Sequence, residues 1–265
     1  MSVTFLLFFV FLLVGMYLIL LILLYIKQEN FIFHPTKLSP TYAFNQFENF
    51  EEHLFKTPND GLINALHFKS QNSKGIVLYF HGNARSLDDW AWVHEDFINL
   101  NYDLFIWDYR SYGKSKGKLS ESNINSDALF LYNQIIKHFD AENIVLYGRS
   151  IGTGPAMELA TKVAAKCLVL ETPYTSIGSM AGANFPFLPI KQILRYKFNN
   201  IRKIKTLKMP VYIFTGTNDS ITPHKHSLKL ANRLKEGKII IFEGGVHGNL
   251  SDFPKYHEEL AKILK

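Results

Sequence analysis

The sequence has one cysteine, Cys167, in 265 residues. A single thiol excludes an internal disulfide framework, and its apolar run Cys167-Leu168-Val169-Leu170 reads as core. No internal repeat, low-complexity tract or nucleotide-binding fingerprint is visible, and the ten histidines show no strong zinc-ligand spacing. No cofactor or metal is therefore expected. Charge is missing altogether from the first 26 residues. Acid is missing from 174–208, which carry Lys191, Arg195, Lys197, Arg202, Lys203, Lys205 and Lys208. The net charge of +6 comes with no nucleic-acid-binding motif, so a nucleic-acid partner is not expected.

The uncharged start is long enough to cross a bilayer, which takes roughly 20 apolar residues. A cleaved signal peptide would have a basic start, a shorter apolar core and small residues at a cleavage site. None is visible, so residues 1–26 are read as a retained single-pass membrane anchor. Lys27 and Lys37 are the first positive charges after it and place the following domain on the cytoplasmic side. Two glycosylation sequons, at Asn218 and Asn249, fall beside candidate site residues, where a glycan would obstruct the site. That too argues against a glycosylating lumen.

Residues 27–44, with Pro35 and Pro40, read as a linker, and 45–265 as one α/β domain. Strands are expected at 46–57, 62–68, 75–80, 103–108, 143–147, 166–171, 210–215 and 238–242. Helices are expected at 86–100, 120–139, 155–165, 223–235 and 251–264. The first two strands read as a hairpin about Pro58-Asn59-Asp60-Gly61. The remaining alternation predicts a mostly parallel sheet with helices on both faces.

Chemistry concentrates at Gly148-Arg149-Ser150-Ile151-Gly152, between an apolar strand and a helix. That context matches the sharp turn that exposes a nucleophilic serine, with glycines where strand and helix crowd together. By itself the pattern is also that of an ordinary glycine-rich turn. Two more residues decide between these readings. Asp219 follows the strand at 210–215, and His247 follows the strand at 238–242. Each alone reads as a turn or surface residue. Together Ser150, Asp219 and His247 each sit just past a strand, in the chain order of a serine hydrolase triad. His247 would deprotonate Ser150, and Asp219 would fix the imidazole tautomer. The Ile151 amide and one from His81-Gly82-Asn83-Ala84 would hold the oxyanion. Asn83 is the better candidate there and Ala84 the neighbouring alternative. His81 reads as a structural hydrogen-bonding residue.

His81-Gly82-Asn83-Ala84, Asp108-Tyr109-Arg110-Ser111-Tyr112-Gly113-Lys114-Ser115, Gly148-Arg149-Ser150-Ile151-Gly152 and Gly216-Thr217-Asn218-Asp219 resemble the α/β-hydrolase superfamily. Within it they look like the membrane-anchored α/β-hydrolase domain group of lipid hydrolases and protein depalmitoylases. The resemblance covers about residues 45–265. It implies an α/β-hydrolase fold with a short cap at 172–209, and Asp108 and Arg110 as scaffold residues. Ser111 departs from the group, which usually has glycine there.

The cap reads either as a helical cover with a solvated basic face or as a surface for anionic headgroups. The expected function is a membrane-anchored serine hydrolase. It would cleave carboxylic esters or thioesters of acyl lipids, lysophospholipids or acylated proteins through an acyl-enzyme. A peptidase on the same fold and a non-enzymatic membrane scaffold are the alternatives. A dehalogenase is disfavoured, because serine and not aspartate holds the nucleophile position. The sequence leaves acyl-chain length, headgroup and oligomeric state open.

Overall fold

The computed structural model describes residues 3–265. Its first element, α1 (Val3–Ile32), is a 30-residue helix long and apolar enough to cross a membrane, with most of its side chains exposed. It runs beyond the expected limit at Ile26, through Lys27, Gln28 and Glu29. Nor is the segment after it a free linker. Phe33 and Phe44 are buried, and His34–Pro35 pair in parallel with Ala84–Arg85. Charge at Lys27 and Glu29 did not stop the helix, because its last turn gains partners in the following domain.

Eight strands make one sheet: β1 (Phe50–Thr57), β2 (Gly61–Phe68), β3 (Ile76–Phe80), β4 (Asp103–Trp107), β5 (Ile144–Arg149), β6 (Cys167–Glu171), β7 (Val211–Gly216) and β8 (Gly237–Phe242). Their spatial order is β1-β2-β4-β3-β5-β6-β7-β8. β1 and β2 form the expected antiparallel hairpin, β2 pairs antiparallel with β4, and all later pairings are parallel. The order reverses direction at β3, whose neighbours are β4 and β5, so the loops leaving β3 and β5 diverge there. Such a switch point is where open α/β sheets bind ligands.

β3, β4 and β6 are buried along their whole lengths, as their continuous apolar runs require. Alternate residues serve two cores. Ile76, Leu78 and Phe80 face one and Val77 and Tyr79 the other. Each such Leu, Ile, Val or Phe contributes about 1.5–3 kcal/mol. On the first face lie α2 (Glu121–Ile135), capped by the Ser120 side chain, and α3 (Thr153–Ala160). The second face is covered by the segment after β3 and by the C-terminal helix Pro254–Leu264. That first segment, expected as one helix over 86–100, is instead two short helices, Leu87–Trp90 and His94–Ile98, joined by a 3₁₀ turn. Cys167 is buried in the second core, and burial pushes its thiol up to about 12.

Between β6 and β7 the chain leaves the sheet and forms α4 (Ile177–Asn184) and two shorter helices, Ile190–Ile193 and Asn200–Lys203. This segment leans on α1. The Gln28 side chain accepts the Arg195 amide at 2.7 Å and donates to the Ile193 carbonyl at 3.2 Å. Glu29 receives the Arg195 guanidinium at 2.8 Å and the Tyr196 hydroxyl at 3.0 Å.

Candidate active site

Ser150 sits directly after β5 with φ +52°, the strained left-handed conformation that turns its hydroxyl out of the sheet. The neighbouring glycines permit this turn. A Cβ on Gly152 would lie 2.1 Å from the Phe80 carbonyl oxygen, and one on Gly148 would lie 2.7 Å from the Gly152 carbonyl oxygen. Close approach of this turn to the end of β3 brings Ser150, Ile151 and Asn83 to the same cavity.

His247 and Asp219 arrive from the loops after β8 and β7. His247 Nε2 is 2.9 Å from Ser150 Oγ, and its Nδ1 is 2.8 Å from Asp219 Oδ2. A carboxylate only accepts, so Nδ1 carries the proton and Nε2 is free to accept from the serine. Asp219 Oδ1 accepts the amides of Ile221 and Thr222 at 2.9 and 2.8 Å. The Thr222 hydroxyl donates to Oδ2 at 2.7 Å. Burial pushes the Asp219 carboxyl up, but the His247 contact and the Thr222 bonds outweigh it and hold it below the usual range. The three side chains singled out in the sequence are therefore brought into one hydrogen-bonded line. Thr222, which completes the Asp219 environment, was not singled out. Its place three residues after an aspartate is the signal that marks such a turn.

The loop carrying Asn83 is held at three successive carbonyls. Tyr109 Oη donates to His81 O at 2.7 Å, His81 Nδ1 to Gly82 O at 2.7 Å and Tyr112 Oη to Asn83 O at 2.6 Å. The Gly82 carbonyl and the Asn83 amide belong to one trans peptide and point in opposite directions. Holding the carbonyl with His81 therefore sets the direction of the Asn83 N–H. Behind it, His81 Nε2 lies 3.4 Å from Asp108 Oδ1, both fully buried. Burial pushes the Asp108 carboxyl up, against the pull of His81. Tyr109 and Tyr112, which complete the support with His81 and Asp108, sit inside the motif that follows β4. In that motif Ser111 has φ +73°, the conformation glycine takes without strain, and Arg110 makes a buried bidentate pair with Asp127.

Arg149, between Gly148 and Ser150, ties two loops together. Its Nε is 3.1 Å from buried Glu171, and an Nη donates to the Gly248 carbonyl beside His247 at 3.1 Å. Burial disfavours the Arg149 charge, but the Glu171 carboxylate outweighs it and keeps it.

The cavity over Ser150 measures about 500 Å³. Apolar side chains line most of it, with Met180, Phe185 and Leu188 from the cap and Leu24 and Phe31 from α1. Among the described residues lining it there is no aspartate or glutamate. Glu51, His53 and His67 converge on the outer hairpin, but Glu51 is engaged by Lys69 and His67 by Asp103.

The family described as serine aminopeptidase, S33, matches residues 71–203, half of the chain. The chain is 31% identical to alpha/beta hydrolase domain-containing protein 17B of Homo sapiens over 74% of its own length and 68% of that protein's. It is 27% identical to protein 17C of Xenopus tropicalis over 84% of its own length and 72% of that protein's. The chain belongs to the α/β-hydrolases, in the α/β-hydrolase domain-containing group. Its fold is similar to that of an esterase from Pyrococcus furiosus, with TM-score 0.68, 17% identity and coverage of 88% of this chain and 97% of that one. It is similar also to an α/β-hydrolase from Vibrio vulnificus, with TM-score 0.70, 21% identity and coverage of 84% and 83%.

Proposed function

We propose that this α/β-hydrolase is a membrane-anchored serine hydrolase that cleaves acyl esters or thioesters through an acyl-enzyme. The observation that carries this is the line Asp219–His247–Ser150 opening onto an apolar cavity. His247 Nε2 takes the Ser150 proton as Oγ bonds to the acyl carbon. The carbonyl oxygen becomes an oxyanion facing the amides of Ile151 and Asn83. Collapse expels the alcohol or thiol, which leaves with the proton from His247. Water, deprotonated by His247, then attacks the acyl carbon and releases the acid and Ser150.

The apolar lining favours acyl lipids, lysophospholipids or acylated proteins as substrates. An aminopeptidase, the activity named in the matched family's description, needs a carboxylate to hold a free amino terminus. The described lining residues offer none, and Asp219 behind them is already engaged by His247. The hydrolase domain is placed at 45–265, under a cap at 172–209, and α1 is taken as a single-pass anchor with the domain on the cytoplasmic side. Lys191, Lys197, Arg202, Lys205 and Lys208 are exposed on the cap. Each would add about 1 kcal/mol of attraction to an anionic leaflet.

A panel of p-nitrophenyl esters of rising chain length, run beside aminoacyl amides, tests this reading. Ester turnover that rises with chain length and disappears in Ser150→Ala is expected. Activity confined to the amides would replace it with the peptidase.

A further inference from the structure

The wall that α1 contributes to the cavity gives the substrate a direction of approach. Leu24, Phe31 and Ile32 of α1 line the same cavity as Met180, Phe185 and Leu188 of the cap, with Ser150 at its base. Along α1 the cap reaches far from Ile32. The Tyr17 hydroxyl donates to the Phe187 carbonyl at 3.3 Å, and Gln28 is bonded to Ile193 and Arg195. From Tyr17 to Ile32 the helix rises about 22 Å. The cap tip thus lies against the middle of a helix most of whose apolar side chains are exposed.

Charge on the cap is divided in the same sense. Residues 177–190 contain no charged side chain, and every basic residue of the cap lies between Lys191 and Lys208. On the uncharged part, Phe185 is 55% and Phe187 92% exposed. Two open phenylalanines on an uncharged tip, beside a helix of bilayer length, suit hydrocarbon, and the basic part beyond them suits the headgroup layer.

We infer that the acyl chain of a bilayer-resident ester or thioester reaches Ser150 sideways from the hydrocarbon layer, through the cleft between α1 and the cap tip. This rests on the serine-hydrolase reading above and extends it: α1 forms part of the substrate site as well as the anchor. A chain entering this way is not moved into water, and its ester group meets Ser150 at the level where the helix leaves the membrane. The Gln28 and Glu29 contacts with the cap hold the two walls in register.

The test uses the full chain in phosphatidylcholine vesicles and a long-chain alkyl fluorophosphonate carrying a diazirine in mid-chain. Ser150 Oγ bonds to phosphorus, fluoride leaves and the serine proton passes to solvent through His247. Irradiation then converts the diazirine, with loss of nitrogen, to a carbene that inserts into whatever lines the chain. Crosslinks to α1 near Leu24 and Phe31 and to the cap near Met180 and Phe185 are expected. Ser150 labelled with crosslinks to neither overturns this inference and leaves the hydrolase reading standing; Ser150 unlabelled overturns both. Vesicle-borne lysophospholipid and an S-palmitoylated peptide serve as competitors. Protection by either supports the inference and identifies the carrier of the chain, whereas protection by neither contradicts it. Leu24→Trp, which narrows the cleft from the α1 side, should move the chain-length optimum to shorter esters; an unmoved optimum would also overturn it.

Discussion

The side chain of Gln28, in the last turns of α1, is clamped between two backbone groups of the cap, accepting from the Arg195 amide at 2.7 Å and donating to the Ile193 carbonyl at 3.2 Å. α1 and cap are thereby tied together, although 167 residues separate Gln28 from Arg195. Gln28→Leu removes both bonds while keeping the volume. A loss of about 1 kcal/mol in local stability is expected, because the half-buried partners lose both bonds. Hydrogen exchange at the Arg195 amide should accelerate accordingly; unchanged protection would show that the clamp is dispensable.

Asp219 is the acceptor that orients His247. Asp219→Asn keeps its shape but offers an amide where Nδ1–H must donate, which favours the wrong imidazole tautomer. A fall of about 10³- to 10⁴-fold in kcat is expected with the fold intact. Because the folded carboxyl is held below its usual range, its stabilising contacts are present above the unfolded value and are lost only as pH falls through the lower folded one. Stability from this contact should therefore be constant through neutral pH and decline only in strong acid.

His81 is a positioning residue, acting through the Gly82–Asn83 peptide. His81→Leu should lower kcat about 10²-fold, the scale of one oxyanion donor, with KM changed by no more than about twofold. A purely structural role would instead lower the folded fraction and leave the kcat of the folded enzyme unchanged.

Asp96, on the helix His94–Ile98, provides a pH test away from the site. Burial pushes its carboxyl up to about 6, although His257 lies 3.6 Å away. The folded state therefore binds this proton more tightly than the unfolded chain. Its stability contribution is complete below the ordinary aspartate value of about 3.9 and is lost as pH rises through about 6. Asp96→Asn should be more stable than the wild type by about 1 kcal/mol at neutral pH, allowing for partial exposure, with the difference shrinking on acidification. Paired melting curves at about pH 5 and pH 7.5 read this directly.

Much of the fold was legible because the strands that hold the site are buried on both faces and carry continuous apolar runs. Ile76-Val77-Leu78-Tyr79 and Asn143-Ile144-Val145-Leu146-Tyr147 announce themselves without tertiary information. Ser150, Asp219 and His247 were legible for a related reason, since each follows an apolar strand within a few residues. The helix over 86–100 was misread as continuous: its apolar spacing is helical, but the chain bends at Ala91–Val93 through a 3₁₀ turn. The end of α1 was misplaced because Lys27 and Glu29 look like the start of a polar linker, and the cap residues that engage Gln28 and Glu29 are far away in sequence. Tyr109 and Tyr112 were hidden likewise. Nothing local distinguishes a tyrosine that fills the core from one whose hydroxyl holds a carbonyl in a loop some 28 residues away.

Mapping the residue modified by a small fluorophosphonate on the folded full-length protein bears most directly on the claim that Ser150 is the nucleophile. A single phosphonyl group on the peptide carrying Ser150, absent from Ser150→Ala and sharply reduced in a variant lacking the His247 imidazole, is the predicted result. A folded sample whose Ser150 stays unmodified, or one labelled equally well without that imidazole, would contradict it.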